Sequence, residues 1–421
     1  MAELPVFYET RRVGVIMSEA AGPSFAYEPK WLKTSGAFPI SIGMPLSPAR
    51  VAPEKFAPWA ANLLPEAGSL RTISLKLGAA PADVIAILSE IGRDTAGALS
   101  IGKPGSTNAG DWRPIPDATA LERIIEELPS KPFLVGDEGV SMSLAGVQSK
   151  IGVAINGTGQ ICIPIDGAPS THILKPDSER LYGSVQNEAL CLVLARRCGL
   201  AAPAVSTGKA GKRTYLLITR YDRIQQAGRW RRLHQEDFCQ ALGKPPEAKY
   251  ESNQTGIPGP KLAEMFALTR RAMQAPDVLA LSDQAIFNVL ACNTDAHAKN
   301  YSLMISARSF RLAPIYDVMC GAAWDGVTRN LAQKIAGKNR GEHLKWRHWR
   351  RFAENCSLNG PRLLARVEAL ANAVLAEIRP AADEVAAMAA GPHGLLPKFC
   401  DAIEMRARDV LNGLADSTGD S

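Results

Sequence analysis

Short apolar runs bounded by turn-forming residues dominate the first hundred positions and predict β-strands. These runs are residues 13–17 (VGVIM), 24–27 (SFAY) and 38–42 (FPISI). At residues 81–92 the apolar positions change to a helical spacing, which predicts an α-helix. Residues 103–118 are polar, contain Gly and Pro, and show no periodicity, so they are predicted to form a linker. The pattern thus indicates a small β-rich module over residues 1–102.

A second strand-rich region is predicted over residues 119–223. Apolar runs on either side of residues 156–159 (NGTG) predict a β-hairpin, because Asn-Gly is a strong turn signal. Runs at 171–175 and 214–221 predict two further strands, and residues 188–198 between them predict a helix. This region is therefore expected to be a small sheet that carries one helix.

Beyond residue 233 the apolar residues recur mainly at helical spacing. The predicted helices lie at residues 234–243, 261–273, 282–293 and 361–413. A β-rich lobe (119–223) followed by a helical lobe (224–421) is the order found in protein kinases. We therefore predict an α+β, two-lobed protein-kinase-like fold with an extra N-terminal β-rich subdomain.

Composition and charge exclude several classes of protein. With 46% hydrophobic and 21% charged residues, the chain is neither disordered nor fibrous. The net charge of +6 is too small to indicate a nucleic acid as substrate. The one dense basic run, residues 345–351 (KWRHWRR), predicts an amphipathic helix with Trp346 and Trp349 on its packed face, and direct DNA contact is the alternative.

The cysteines and the absence of long apolar runs bear on the compartment. Eight cysteines lie far apart without CxxC spacing, which is typical of reduced core thiols in the cytoplasm. The amino terminus shows no signal pattern, and no apolar run approaches the ~18 residues that a membrane span needs. We expect a cytoplasmic protein without membrane contact.

The clearest chemical pattern is residues 293–300 (NTDAHAKN), between an apolar helix and a short predicted strand. Phosphoryl transfer to a hydroxyl uses an Asp beside the attacking oxygen and a following Asn that helps to hold metal, spaced Asp-x-x-x-x-Asn. Asp295 and Asn300 have that spacing, and Asp317 follows a predicted strand as a second metal carboxylate. Mg²⁺ is therefore predicted at Asn300 and Asp317. A helix cap followed by a surface loop is the simpler alternative for the spacing alone.

A kinase also needs a lysine and a loop at the phosphates of its nucleotide. Lys175 ends a predicted strand, and Glu188 begins the predicted helix that would orient it. No GxGxxG motif is present, but small residues in 141–150 would let backbone N–H groups approach phosphate. The predicted contacts come from Gly146, Val147, Gln148 and Lys150. A solvated lysine and an ordinary turn are the alternatives.

Taken in their order along the chain, these motifs and the segments around them resemble the HipA family. Members of that family are toxins of bacterial toxin–antitoxin pairs and atypical serine/threonine kinases. The resemblance covers nearly the whole chain. It is carried by FAYEPKWL, PISIGMPL, NLLPEAG, IGRDTAGAL, SLAGVQSK, THILKP, NEALCLVLA, RYDR, LHQEDFCQALG, KYES, NTDAHAKNYS and LAPIYDV. It implies ATP and Mg²⁺ as cofactors and Asp295 as the catalytic base. It also implies Asn300 and Asp317 as metal ligands, with Lys175 at the ATP phosphates.

The resemblance also implies where adenine would bind. Thr219 and Tyr221 fall on the hinge whose backbone would hydrogen-bond the base, with Asp222 beside it. We further expect His297 and Lys299 of the catalytic segment to contact the nucleotide. Zinc at His297 is not favoured, because no Cys or His lies at metal-binding spacing from it.

Regulation is implied at the loop serines. Ser143 matches the serine that HipA-like kinases phosphorylate in trans, which ejects the loop and stops ATP binding. A phosphate would add about −1.5 to −2 charge where the ATP phosphates would sit. Ser141 is a second candidate, and Ser149 stands where the best-known members carry an acidic residue. An ordinary loop hydroxyl is the alternative for either serine.

The resemblance implies partners as well. These are a small helix-turn-helix antitoxin, DNA reached only through that antitoxin, and a protein substrate such as an aminoacyl-tRNA synthetase, for example the glutamyl enzyme. A non-catalytic corepressor scaffold and a small-molecule kinase are alternative functions. The intact set Lys175, Asp295, Asn300 and Asp317 favours an active enzyme over the scaffold. The N-terminal module and the serine-bearing loop argue against a small-molecule kinase.

Overall fold

The computed structural model describes residues 3–106 and 111–415 of the chain. It divides into two compact units. The first comprises Met1–Pro176, Lys209–Pro246 and Leu303–Phe310, and the second comprises Asp177–Gly208, Glu247–Ser302 and Arg311–Ser421. Within the described ranges, none of the helices has the length and apolar character needed to cross a membrane.

The first unit begins with an antiparallel four-stranded sheet of order β3-β2-β1-β4. Its strands are β1 (Glu3–Tyr8), β2 (Arg11–Glu19), β3 (Gly22–Tyr27) and β4 (Leu99–Ile101). The helices beside them are α1 (Pro29–Leu32), α2 (Pro53–Ala61), α3 (Ala67–Leu77) and α4 (Val84–Ile91). Helix α4 starts where the Asp83 carboxylate accepts a 3.0 Å hydrogen bond from the Ala86 amide, a typical N-cap. Phe25 and Phe56 stack in the buried core of this part.

The strand predicted at residues 38–42 is wrong. This segment is irregular, with only an isolated bridge between Ser41 and Met44. Phe38 and Ile40 are still buried, and the Ile40 amide donates to the Tyr27 hydroxyl at 2.9 Å. Because a side chain satisfies that amide, the segment can be buried without joining a sheet.

A six-stranded sheet of order β5-β7-β6-β8-β10-β9 completes much of the first unit. Its strands are β5 (Trp112–Pro114), β6 (Ile151–Ile155), β7 (Ile161–Pro164), β8 (His172–Pro176), β9 (Val205–Ala210) and β10 (Arg213–Thr219). The hairpin predicted around residues 156–159 is confirmed, since Ile155 pairs with Ile161. The predicted linker, residues 103–118, is wrong in part: β5 pairs with β7, and helix α5 (Ala118–Glu127) follows, while residues 107–110 lie outside the described residues.

Shorter strands follow residues 219–222, the predicted hinge. They are β11 (Arg223–Gln226), β12 (Arg229–Arg232), β13 (His234–Asp237), β14 (Ser302–Ile305) and β15 (Phe310–Leu312). The helix predicted at 234–243 is therefore only half right, because β13 precedes helix α7 (Phe238–Ala241). Asp237 and Gln240 form a capping box, so the helix starts at that point.

The second unit is mainly helical. It contains α6 (Ser184–Arg197), α8 (Leu262–Ala272), α9 (Ala275–Leu290), α10 (Trp346–Asn355), α11 (Gly360–Ala386), α12 (Leu396–Ala415), and the strands β16 (Asn330–Ile335) and β17 (Lys338–Arg340). Helix α11 packs against α6, α9, α10 and α12. Helix α6 begins earlier than predicted and is buried on all sides from Ser184 to Ala195.

Helix α10 and the cysteines of the chain confirm two predictions made from the sequence. In α10, Trp349 is fully buried and Trp346 is half-buried, while Arg347, Arg350 and Arg351 are exposed. This is the expected amphipathic helix. In addition, all eight cysteines of the chain are free and buried, as predicted for core thiols.

Candidate active site

The segment 293–300 connects α9 to β14, and side-chain amides fix both of its ends. After α9, Cys292 adopts φ +54°, which turns the chain out of the helix. Asn293 then bonds back to Asn288, with its amide donating to the Asn288 carbonyl at 2.9 Å and its Nδ2 to Oδ1 at 2.8 Å. Asn288 Nδ2 in turn donates to the Tyr301 hydroxyl at 2.9 Å. These buried bonds hold the loop in one shape, because breaking any of them would leave polar groups unsatisfied.

Asp295 is held from several directions. Its amide donates to Asn293 Oδ1 at 3.1 Å, and its carbonyl accepts from Asn300 Nδ2 at 2.8 Å. Its carboxylate Oδ1 accepts a 2.6 Å hydrogen bond from the hydroxyl of Tyr250. The carboxylate is thus aimed by a residue far away in sequence. Reasoning from motif spacing missed Tyr250, although it lies in the KYES block.

Asn300 and Asp317 carry side-chain oxygens of the kind that Mg²⁺ prefers, and their binding of Mg²⁺ stays a prediction. Because Nδ2 of Asn300 donates to the Asp295 carbonyl, its Oδ1 is the atom oriented to accept a cation. Asp317 adopts φ +55°, a conformation in which Asp is among the more common non-glycine residues. Across the described residues, no group of three or more His, Cys, Asp or Glu is placed to hold a metal ion. The donor set fits Mg²⁺ completed by phosphate and water oxygens rather than zinc.

The chain after Asp317 returns to the catalytic segment. The amide of Gly321 donates to the carbonyl of Cys292 at 3.0 Å. A side chain at Gly321 would meet Thr294 Oγ1 at 2.6 Å. The strand predicted before Asp317 is present, but it does not reach this residue. Strand β15 ends at Leu312, and residues 313–320 are irregular. This backbone contact connects the end of that irregular stretch to the catalytic segment.

His297 is buried and neutral. Burial and the nearby Lys249 cation hold its pKa well below the ordinary value, although the Asp317 carboxylate acts in the opposite direction. The ring packs edge-on against Tyr250, with centroids 5.0 Å apart. Lys299 is also buried, and its carbonyl accepts from the Tyr316 hydroxyl at 2.6 Å. These contacts serve the loop itself, and nucleotide binding by His297 and Lys299 stays a prediction.

In the first unit, residues 141–150, the phosphate loop, are packed closely. Ser143 is 0% exposed, and its hydroxyl donates to the Leu63 carbonyl at 2.6 Å. Ser141 donates to the Glu90 carbonyl at 2.6 Å. Lys150 Nζ donates to the Ala145 carbonyl at 2.7 Å and closes the loop on itself. Glycine is favoured at position 146, because residues with a side chain rarely adopt its φ of +111°.

Val147 and Gln148 are the other two loop residues predicted to contact phosphate. Val147 is 65% exposed, and Gln148 is half-buried. Their contact with phosphate stays a prediction.

Lys175 and Thr219 lie on neighbouring strands, and Tyr221 lies in the turn that follows β10. Lys175 is buried in β8 opposite Leu216 of β10, and Thr219 pairs with His172 at the other end of the same pair. The Tyr221 hydroxyl donates to Gln235 Oε1. These positions allow the predicted roles of Lys175, Thr219 and Tyr221, which stay predictions.

Asp222 is engaged by the protein itself. Its Oδ1 accepts from Arg220 Nε at 2.9 Å, and its Oδ2 accepts from Arg220 Nη2 and the Gly97 amide, both at 2.7 Å. Burial alone would raise the pKa of Asp222, but Arg220 and Arg223 lower it below its usual range. Asp222 therefore shapes the hinge, and its contact with nucleotide stays a prediction.

An α+β fold that carries a catalytic-type Asp and Asn in one loop, with a further Asp close behind, belongs to the protein-kinase-like class. Comparison with known proteins narrows this class. The family model named HipA N-terminal domain matches residues 4–102, and the one named HipA-like C-terminal domain matches residues 142–379. The chain belongs to the HipA family.

Individual relatives agree with this assignment. A protein of Sinorhizobium fredii named as a kinase, Y4mE, is 35% identical and covers 97% of this chain and 98% of its own length. The serine/threonine-protein kinase toxin HipA of Shewanella oneidensis is 29% identical over 77% of this chain and 76% of its own length. A solved HipA of the same organism, in a complex with HipB and operator DNA, has a TM-score of 0.84, 26% identity and 99% coverage of both chains. The predicted fold class is thereby confirmed.

Proposed function

We propose that this chain is an ATP- and Mg²⁺-dependent protein kinase of a cytoplasmic toxin–antitoxin pair that phosphorylates serine or threonine hydroxyls. The observation that carries the proposal is the catalytic segment. There, Tyr250 orients the Asp295 carboxylate while Asn300 is fixed to the Asp295 backbone with its amide oxygen free to turn to a cation. A scaffold protein would have no need of this arrangement. The HipA family membership and the kinase names of the relatives support the same activity.

The chemistry assigned to the residues is phosphoryl transfer. Asp295 accepts the proton of the substrate hydroxyl as its oxygen bonds to the γ-phosphorus. The bond between the γ-phosphorus and the bridging oxygen breaks, and ADP leaves with that oxygen. Lys175 holds the phosphates of the nucleotide. Mg²⁺ held by Asn300 and Asp317 would neutralise charge on the phosphoryl group.

Mass spectrometry after incubation with Mg-ATP tests the activity. Dephosphorylated wild type is expected to gain phosphate on the peptide spanning residues 141–149, and Asp317→Ala is expected to gain none. Asp383→Asn, an exposed change on α11, is the matched control and should behave as wild type. No gain in the wild type, with the protein folded and unphosphorylated at the start, would favour the non-catalytic corepressor scaffold.

We propose a small helix-turn-helix protein as the antitoxin partner, with DNA contacted through it. The support is the full-length similarity to a HipA solved with HipB and operator DNA. Co-expression with a helix-turn-helix protein encoded beside this gene, followed by operator gel shifts, tests the partnership. A shift by the antitoxin that this chain does not alter would count against it.

We propose a translation component as the substrate, with an aminoacyl-tRNA synthetase, such as the glutamyl enzyme, as the first one to test. The support is the family resemblance alone. Purified synthetase incubated with the wild type and Mg-ATP should gain phosphate, and should not do so with Asp317→Ala. Autophosphorylation at Ser143 or Ser141 is the proposed off switch.

A further inference from the structure

Asp94, just after α4, joins the phosphate loop through its backbone. Its amide donates to the Ser141 carbonyl at 3.2 Å, and its carbonyl accepts from the Ser143 amide at 3.0 Å. Asp94 and Met142 form an isolated parallel bridge. The loop thus adds a short strand-like contact to the N-terminal module. While this contact persists, Ser143 has no exposed surface.

The side chain of Asp94 holds a different set of groups. Oδ1 accepts from Arg223 Nη2 at 2.9 Å and from Arg232 Nε at 3.2 Å. Oδ2 accepts from the Ser170 amide at 3.1 Å and from its hydroxyl at 2.5 Å. Burial would raise the pKa of Asp94, but Arg223, Arg232 and Arg220 hold it well below its usual range. Asp94 is therefore a buried carboxylate whose charged form is stabilised by the surrounding arginines.

The arginines around Asp94 extend to the hinge. Arg220 Nη1 donates to the Ser170 hydroxyl at 2.8 Å, and Arg220 Nη2 and Arg223 Nη2 both donate to the Thr95 carbonyl. Arg220 and Arg223 flank Tyr221 and Asp222, the predicted adenine hinge. One residue of the N-terminal module therefore contacts the phosphate loop by its backbone and the hinge by its carboxylate.

We propose that Asp94 is a positioning residue for ATP that keeps the phosphate loop docked and couples its release to the hinge. The inference rests on the proposed kinase function. Loop release must break the bonds of Asp94 to Ser141 and Ser143, and the arginines resist this by fixing Asp94 in place. Because the Ser143 hydroxyl is buried when the loop is docked, the release equilibrium also sets how fast Ser143 can be phosphorylated.

Hydrogen exchange without nucleotide tests the docking step independently of catalysis. In Asp94→Asn, amides of the peptide 141–150 should exchange about tenfold faster than in the wild type, because exchange follows local opening. Glu126→Gln changes an exposed carboxylate on α5 of the same unit and should leave this peptide unchanged. Ser170→Ala keeps every charge and removes only the hydroxyl that donates to Asp94 and accepts from Arg220, so it should give a smaller increase and replaces Asp94→Asn if that variant does not fold. Unchanged exchange in Asp94→Asn, or in Ser170→Ala if Asp94→Asn does not fold, would overturn the proposal.

Nucleotide binding and modification test the coupling. In Asp94→Asn, KM for ATP should rise about tenfold while kcat changes less than about threefold, a split that a general loss of folded enzyme would not produce. Two inactive variants are offered to the wild-type enzyme as substrates. The double variant Asp94→Asn/Asp295→Asn should gain phosphate at Ser143 about tenfold faster than the single variant Asp295→Asn. Faster exchange with unchanged KM and phosphorylation rates would overturn the coupling. If neither substrate is phosphorylated at all, the kinase proposal fails, whereas the exchange result still decides the docking.

Discussion

The catalytic segment and the phosphate loop are built in opposite ways. Residues 293–300 are fixed largely by near neighbours, such as Asn288 and Tyr301, and also by Lys249, Tyr250 and Tyr316. The phosphate loop is fixed by remote residues: Ser143 bonds to Leu63, 80 positions away, and Ser141 to Glu90, 51 positions away. Changes in the catalytic segment should therefore alter the chemical step, and changes around the loop should alter nucleotide binding.

The largest effect on activity is expected from a change of Asp295, the proposed catalytic base. Asp295→Asn should lower turnover by about 10²–10⁴-fold, the usual contribution of a positioned general base, with little change in ATP affinity. Steady-state rates and ATP titrations measure both quantities. Asp383→Asn serves as the control. Turnover near that of the wild type would remove Asp295 from the mechanism.

A charge at the docked serine should affect binding instead. Ser143→Asp would place an unpaired carboxylate in a fully buried position, so the loop should leave it. ATP affinity measured by calorimetry should fall about tenfold or more. Ser130→Asp, at an exposed site of the same unit, is the matched control. Equal affinities for the two variants would contradict a role of the docked loop in ATP binding.

Tyr250→Phe sharpens the comparison within the catalytic segment. Removing the hydroxyl that donates to Asp295 should lower kcat about 3–10-fold, in keeping with one hydrogen bond to a charged group at a partly exposed site. KM for ATP should stay within about twofold. Tyr182→Phe, an exposed position of the second unit, is the control. A rise in KM with unchanged kcat would mean that Tyr250 serves binding rather than the base.

Features fixed by near neighbours could be predicted from the sequence, whereas features fixed by distant residues could not. The Asp295–Asn300 spacing and the hairpin at 156–159 depend on near neighbours, and their patterns predicted the observed loop and turn. The strand expected at 38–42 and the linker expected at 103–118 were wrong, in whole and in part, because contacts from distant segments decide them. Tyr250 and Asp94 carried no local signal, since their partners lie far away in sequence.

The smallest effect concerns stability and tests whether the first unit depends on buried polar groups. Burial raises the pKa of Glu236 from 4.5 to about 8. Its folded form prefers the proton, so wild-type stability should decline as pH rises from about 4.5 to 8 and then level off. Glu236→Gln should remove this decline and be more stable than the wild type at pH 8 by about 1–2 kcal/mol.

Urea unfolding at pH 5, 6.5 and 8 measures this difference. His234, whose pKa burial lowers to about 4, acts in the opposite sense: stability falls as pH drops from 6.5 towards 4. Because both proteins contain His234, this contribution cancels in the difference between them. Glu54→Gln, exposed on α2, should follow the wild type at every pH. Parallel curves for Glu236→Gln and the wild type would contradict the prediction.

The central claim is that this chain transfers phosphate from ATP to a protein hydroxyl. Its most direct test is to mix dephosphorylated wild type with isotope-labelled Asp295→Asn chains and Mg-ATP, then measure phosphate on the 141–149 peptide of the labelled chains. The account predicts phosphate on Ser143 or Ser141 of the labelled chains, and none when the wild type is omitted. No phosphate on either chain, with ATP bound and both proteins folded, would contradict it.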